Sequence, residues 1–170
     1  TIIQARYVMW RILFFIILGL GACAPRQDVI ADTDSWTGFT QIVTPEHEIF
    51  RDNKAIMTVR PVSMARGGER AFGVLTNIRR RVPNGPIINA MYSGSVRLDY
   101  QRHDRLMTHC IDGCQRAEIG VINMTEASFR HAARTGLPLL VFGRRGRYAG
   151  TVPATQFQQV LDAISKTRHE

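Results

Sequence analysis

Hydrophobic and polar residues alternate in short runs along the first two thirds of the chain. A period of two is the repeat at which strand side chains face one side of a sheet, so these runs predict strands. They cover 36–43 (WTGFTQIV), 55–62 (AIMTVRPV), 71–78 (AFGVLTNI), 95–101 (SVRLDYQ), 105–110 (RLMTHC) and 117–122 (AEIGVI). Val96, Leu98 and Tyr100 alternate clearly and are expected on one buried face of one strand. Turn chemistry separates the runs at Arg66-Gly67-Gly68, Pro83-Asn84-Gly85-Pro86 and Asp112-Gly113. The repeat then lengthens. MTEASFRHAARTG reads as a helix capped at Thr125 and stopped at Gly136, a residue tolerant of positive φ. PLLVFGRRGRYAGTV reads as two strands around an Arg144-Arg145-Gly146 turn. In TQFQQVLDAISKTR, Phe157, Val160, Leu161 and Ile164 stand at i, i+3, i+4 and i+7, one apolar stripe of a helix with Thr155 as its expected cap. The fold class expected is mainly β: an antiparallel β-sandwich-like domain with two short α-helices in the C-terminal half.

The strongest apolar segment lies outside that pattern. Ile12 to Ala22 carries no charge, follows Arg11, and ends at Cys23-Ala24-Pro25-Arg26. A spanning helix needs ~20 apolar residues; this run is shorter and fits a secretory leader with a basic start, an apolar core and small residues before a cut. Leu20-Gly21-Ala22-Cys23 resembles the bacterial lipoprotein signal, which implies a diacylglycerol on the Cys23 thiol, cleavage before it, and lipid as the anchor. Two alternatives remain: a cut by ordinary signal peptidase, or an uncleaved hydrophobic anchor. Residues 1–22 are thus expected to be a signal peptide, with 1–8 upstream of a true start at Met9. Residues 23–35, polar and without apolar period, are expected to be a flexible tether, and residues 36–168 a single β-rich domain.

Charge and cysteine usage refine the address. The chain carries a net charge of +8, mostly from Arg, and a leader ending at Ala22 would take only Arg6 and Arg11 with it. A basic domain outside the cytoplasm favours lipid headgroups and acidic envelope polymers as partners; no basic stripe interleaved with aromatics suggests nucleic acid. Of three cysteines, lipid on Cys23 would leave Cys110 and Cys114 as a pair. Their five-residue segment contains Asp112-Gly113 and can turn tightly, so a local disulfide is expected, although its geometry is demanding and the short loop constrains the unfolded chain little. A metal site joining His109 and His103 to the two sulfurs, or a redox-active pair, stays open. Neighbours on a strand face opposite sides, which disfavours joint ligation by His109 and Cys110, and the spacing is not the Cys-x-x-Cys of redox helices.

Cys110-Ile111-Asp112-Gly113-Cys114, Leu139-Leu140-Val141-Phe142, and the closing helix around Phe157 and Leu161 together resemble the C-terminal half of the invasion-associated locus B family of secreted bacterial proteins. Trp36 and Val82-Pro83-Asn84-Gly85-Pro86 fit more loosely. Members often carry a further Cys pair in the N-terminal half, which this chain lacks between Trp36 and Met107. The resemblance implies a β-sandwich, a periplasmic or outer-membrane location and no established enzymatic activity.

Candidate chemistry is sparse. His47, between Glu46 and Glu48 and close behind Pro45, is expected in an exposed turn rather than as a metal ligand. No nucleophile elbow, triad spacing or phosphate-binding glycine motif is present. Arg79, Arg80 and Arg81 beside one turn, and Arg144, Arg145 and Arg147 at another, are candidate anion-binding residues if the fold brings the two turns to one end. The expected function is a non-enzymatic, lipid-anchored protein of the periplasmic side of a Gram-negative envelope, with the outer membrane favoured because Ala24 follows Cys23 where inner-membrane retention uses Asp. It would bind an envelope component or a partner protein, with no cofactor beyond the covalent lipid. The alternatives are an accessory subunit of a membrane complex, or a metal or redox protein using His109, Cys110 and Cys114.

Overall fold

A computed structural model describes residues 28–34, 37–53, 55–80, 88–103, 107–110, 114–143 and 146–167. In chain order the elements are β1 (Ile30–Asp34), β2 (Phe39–Val43), β3 (His47–Arg51), β4 (Ala55–Arg66), β5 (Glu69–Arg80), β6 (Ile88–Ser93), β7 (Val96–Arg97), β8 (Asp99–Arg102), β9 (Met107–Cys110), β10 (Cys114–Met124), α1 (Glu126–Thr135), β11 (Leu137–Gly143), β12 (Gly146–Val152) and α2 (Ala154–Thr167). All pairings among them are antiparallel, and they form two sheets. The fold is mainly β, sandwich-like, with both helices in the C-terminal half.

The larger sheet is built on three long strands, β4, β5 and β10. The β4–β5 hairpin pairs continuously from Ala55↔Arg80 to Arg66↔Glu69, its turn made by Gly67 and Gly68 at positive φ. Each outer strand of this trio has two short neighbours in line: β2 and β3 along β4, β8 and β9 along β10. The smaller sheet runs β12-β11-β6-β7. Its β12 meets β3 closely enough that a Cβ on Gly150 would lie 2.5 Å from the Ile49 carbonyl oxygen, and Tyr148 packs on Phe50 with ring centroids 4.8 Å apart.

The core lies between the sheets and under the helices. Register aligns Met57, Val59, Val74, Ile78 and Ile122 on the inner face of the larger sheet, opposed by Ile88, Met91, Leu139 and Val141. The helices close one end of the core through Phe72, Phe129 and Phe157, with successive ring centroids 4.9 and 5.0 Å apart. Both helices obey their apolar period: α1 buries Phe129 and Ala132, and α2 buries Phe157, Val160 and Ile164. Each of the larger ones, Phe129, Phe157, Val160 and Ile164, contributes roughly 1.5–3 kcal/mol by leaving water. Thr125 caps α1 by accepting the Ser128 N–H at 3.2 Å, and Gly136 ends it at φ 76°.

Four expectations are corrected. Residues 30–34, expected within the flexible tether, form β1, hydrogen-bonded to β2 from Ile30↔Val43 to Asp34↔Phe39. Its five side chains are all exposed, so backbone pairing rather than apolar burial holds it, and no hydrophobic pattern marks it. His47 lies in β3 opposite Val59, not in a turn. The 95–101 run is two strands: β7 pairs with β6 in the smaller sheet and β8 with β10 in the larger, with the crossing at Leu98. Val96 is therefore 65% exposed instead of sharing a buried face with Tyr100. Finally, α2 begins at Ala154 directly after Pro153, so Thr155 sits inside the first turn and does not cap it. The strand β6, with Ile88 and Met91 buried, was not expected from the pattern.

Candidate functional site: a polar tie and a cationic end

β10 carries one carboxylate on its core face. Glu118 lies in register with Ile78 and alternates with Gly120, Ile122 and Met124 on the inward side, and it is fully buried. An ionised carboxylate there requires compensation. Tyr100 donates its hydroxyl hydrogen bond to Oε1 at 3.0 Å, the Arg102 Nε lies 3.2 Å from the same oxygen, and the Ile88 backbone N–H donates to Oε2 at 3.4 Å. The Arg102 guanidinium also donates to the Ile88 carbonyl at 3.3 Å. Because Ile88 opens β6, this cluster ties the two sheets together at the end of β5.

The local sequence explains how Tyr100 reaches. Gly120 has no Cβ, and one placed there would lie 2.4 Å from the tyrosine ring; the ring therefore lies flat across the strand at that gap. Thr76 Oγ1 donates to the Gly120 carbonyl at 3.3 Å beneath it. Burial pushes the Tyr100 hydroxyl well above the usual phenol range, and the Glu118 charge and hydrogen bond push it further. It is held as a donor.

Among the described residues, Glu48 and Asp52 near this end are engaged. Glu48 is paired to Arg51, whose Nε donates at 2.8 Å, and that bond holds the Glu48 carboxyl below its ordinary value, with smaller help from the Arg79 charge. Asp52 accepts the Ala55 N–H at 2.6 Å. Arg79 and Arg147 make no ion pair among the described residues. Arg147 lies over the Phe142 ring, 5.3 Å from its centroid, a cation–π placement that leaves its charge facing solvent.

The fold brings the end of β5, with Arg79, and the joined ends of β11 and β12, with Arg147, to one end of the domain. Gly143 pairs with both Gly146 and Ile88, while Ile88 bonds Glu118 beside Ile78. Arg79 and Arg147 are exposed on opposite outer faces at that end, Arg79 on the larger sheet and Arg147 on the smaller, so they flank it rather than share one flat patch. Arg80 closes β5, its backbone opposite Arg116. Arg81, Arg144 and Arg145 lie outside the described residues, as do Leu20, Gly21, Ala22 and Cys23. Cys110 and Cys114 are direct cross-strand partners at the turn of the β9–β10 hairpin, which runs past the end of β5. His109 pairs with Gln115, one position out of step with the cysteines. His103 is exposed, its N–H bonded to the Ile119 carbonyl at 3.0 Å. Among the described residues no group of three metal-ligating side chains is present, and no helix is long and apolar enough to cross a membrane.

Sequence reasoning missed Glu118, Tyr100 and Arg102. The one signal was an acid within the apolar run AEIGVI; its side-chain partners sit together on β8, 16 and 18 positions earlier in the chain, where nothing marks them as a set. No protein-family model, curated protein or solved structure matches this chain.

Proposed function

We propose that this is a non-enzymatic binding domain of the bacterial cell envelope, anchored by lipid on Cys23, whose arginine-bearing end engages a phosphate-rich envelope component. The observation that carries the reading is the pairing of charges at that end. Glu118 is satisfied by Arg102 and Tyr100, and Glu48 mainly by Arg51, while Arg79 and Arg147 are exposed and make no ion pair among the described residues. Exposed guanidinium groups in no ion pair among the described residues suit bidentate binding of phosphate oxygens. A lipid anchor would hold the domain within reach of such groups, and an acyl anchor and a basic surface reinforce each other as membrane attachments.

The register supports a disulfide between Cys110 and Cys114 as part of the same proposal. Directly opposed positions of an antiparallel pair lie ~4.5–5.5 Å apart at Cα, within the span a disulfide accepts. The metal reading is weaker, because His109 is one position away on a strand, where successive residues face opposite sides.

The test is binding of inorganic polyphosphate to the full chain held in zwitterionic nanodiscs, compared with the Arg79→Glu/Arg147→Glu variant. The expected result is affinity lowered by about tenfold or more, with strong weakening by salt. Unchanged affinity would overturn the cationic end as the site. An intact mass beginning at Cys23 with added acyl groups, with alkylation only after reduction, is expected for the anchor and the disulfide; an uncleaved N-terminus would point instead to the membrane-subunit reading.

A further inference from the structure

A second candidate surface lies away from the cationic end, where β7 and the start of β8 diverge from α1. An open groove of about 900 Å³ runs between them. That volume is within the ~300–1,000 Å³ of small-molecule sites. Its apolar wall is formed by Val96, Leu98, Met124, Leu137 and Pro138, and Val96 is 65% exposed, an aliphatic side chain left to water on a two-residue edge strand.

The polar groups around the groove are mostly engaged with one another. Asn123 donates to Asp99 at 2.9 Å, Thr125 and Ser128 are bonded at 2.9 Å as part of the α1 cap, and Thr135 donates to the His131 carbonyl at 3.1 Å. Among its polar lining residues, Ser93 on β6, Arg97 on β7 and His131 on α1 have no side-chain partner among the described residues, and of these only Arg97 carries a fixed charge. Arg97 and His131, on opposite walls, can donate hydrogen bonds to an anion, and the one carboxylate lining the groove, Asp99, is already bonded to Asn123.

We infer that this groove binds an amphiphile with an anionic head, its chain lying on Val96, Leu98 and Leu137 and its head held by Arg97 with His131. The charge complementarity is what commits the occupant: an uncharged apolar ligand would leave the guanidinium unused, and a bare anion would leave the aliphatic wall in water. The site shares no residue with Arg79, Arg147 or Glu118, so it stands whether or not the cationic end binds polyphosphate.

The experiment maps amide chemical shifts of the full chain in zwitterionic nanodiscs during titration with octyl phosphate, octyl glucoside and inorganic phosphate, each below micelle-forming concentration. The expected result is saturable shifts at Val96, Arg97, Ser128 and His131 with octyl phosphate alone. Arg97→Ala and Val96→Asp, both at exposed positions that leave the fold intact, are each expected to weaken that binding by about tenfold or more. Octyl glucoside binding equally well would overturn the anionic head, and inorganic phosphate shifting the same amides as strongly would overturn the chain. Shifts confined to Arg79 and Arg147, or unaffected by both variants, would overturn the groove as the site.

Discussion

The two ends of the core are closed by opposite chemistries. At the helical end, Phe72, Phe129 and Phe157 stack between α1, α2 and β5 without a charge among them. At the other, a buried carboxylate joins the two sheets through Tyr100, Arg102 and the Ile88 N–H. The first is cohesive by area and tolerates change in proportion to the volume removed. The second is cohesive only when complete, because each partner removed leaves a desolvated charge behind. Glu118 is engaged inside the core, while Arg79 and Arg147 on the outer faces of that end make no ion pair among the described residues.

Breaking the aromatic end should cost most. Phe157→Ala, at a fully buried position, is expected to lower stability by about 4 kcal/mol, read from the urea midpoint at constant slope; a loss under about 1 kcal/mol would mean that the stack does not close the core. Arg102→Met should cost about 3 kcal/mol by leaving Glu118 without its cation, and much less when Glu118 is already Leu. Equal costs in both backgrounds would show that Arg102 acts through packing alone.

Tyr100→Phe is expected to cost about 2 kcal/mol at neutral pH through loss of a hydrogen bond to a buried carboxylate. It also carries a pH signature. The folded-state pKa of Tyr100 is raised above its unfolded value, so the stabilisation is fully present below about pH 10 and is lost as pH rises beyond it toward the folded value. Unfolding midpoints at pH 8 and 11 should therefore fall more in the parent chain than in the Phe variant; parallel falls would remove Tyr100 from the tie. The smallest expected effect sharpens the contrast: Arg79→Glu with Arg147→Glu should change stability by no more than about 0.5 kcal/mol, since both side chains are exposed, while anion binding drops.

What the sequence made legible follows the same division. Periodic segments whose burial is set by their own residues were readable: Phe157, Val160 and Ile164 on α2, the Thr125 cap, and the long strands β4, β5 and β10. Elements held by a partner's backbone were not. β1 buries no side chain, and β6 opens beside a Pro/Gly-rich stretch that reads as turn. The 95–101 run misled because an alternating pattern cannot show that the chain changes sheets at Leu98. Arg79 and Arg147 were visible as candidates, but their common end depends on Gly143 pairing with Ile88, a contact 55 positions apart in sequence that no local pattern encodes. Glu118 was the least legible, since its meaning resides in Tyr100 and Arg102.

The measurement closest to the central claim is the footprint of inorganic polyphosphate on the full chain, mapped residue by residue through amide shifts in zwitterionic nanodiscs. The account predicts shifts centred on Arg79 and Arg147 that fade with added salt, with Arg130, paired to Glu126, and the rest of α1 unmoved. A footprint centred on the helices, or none at all, would contradict it.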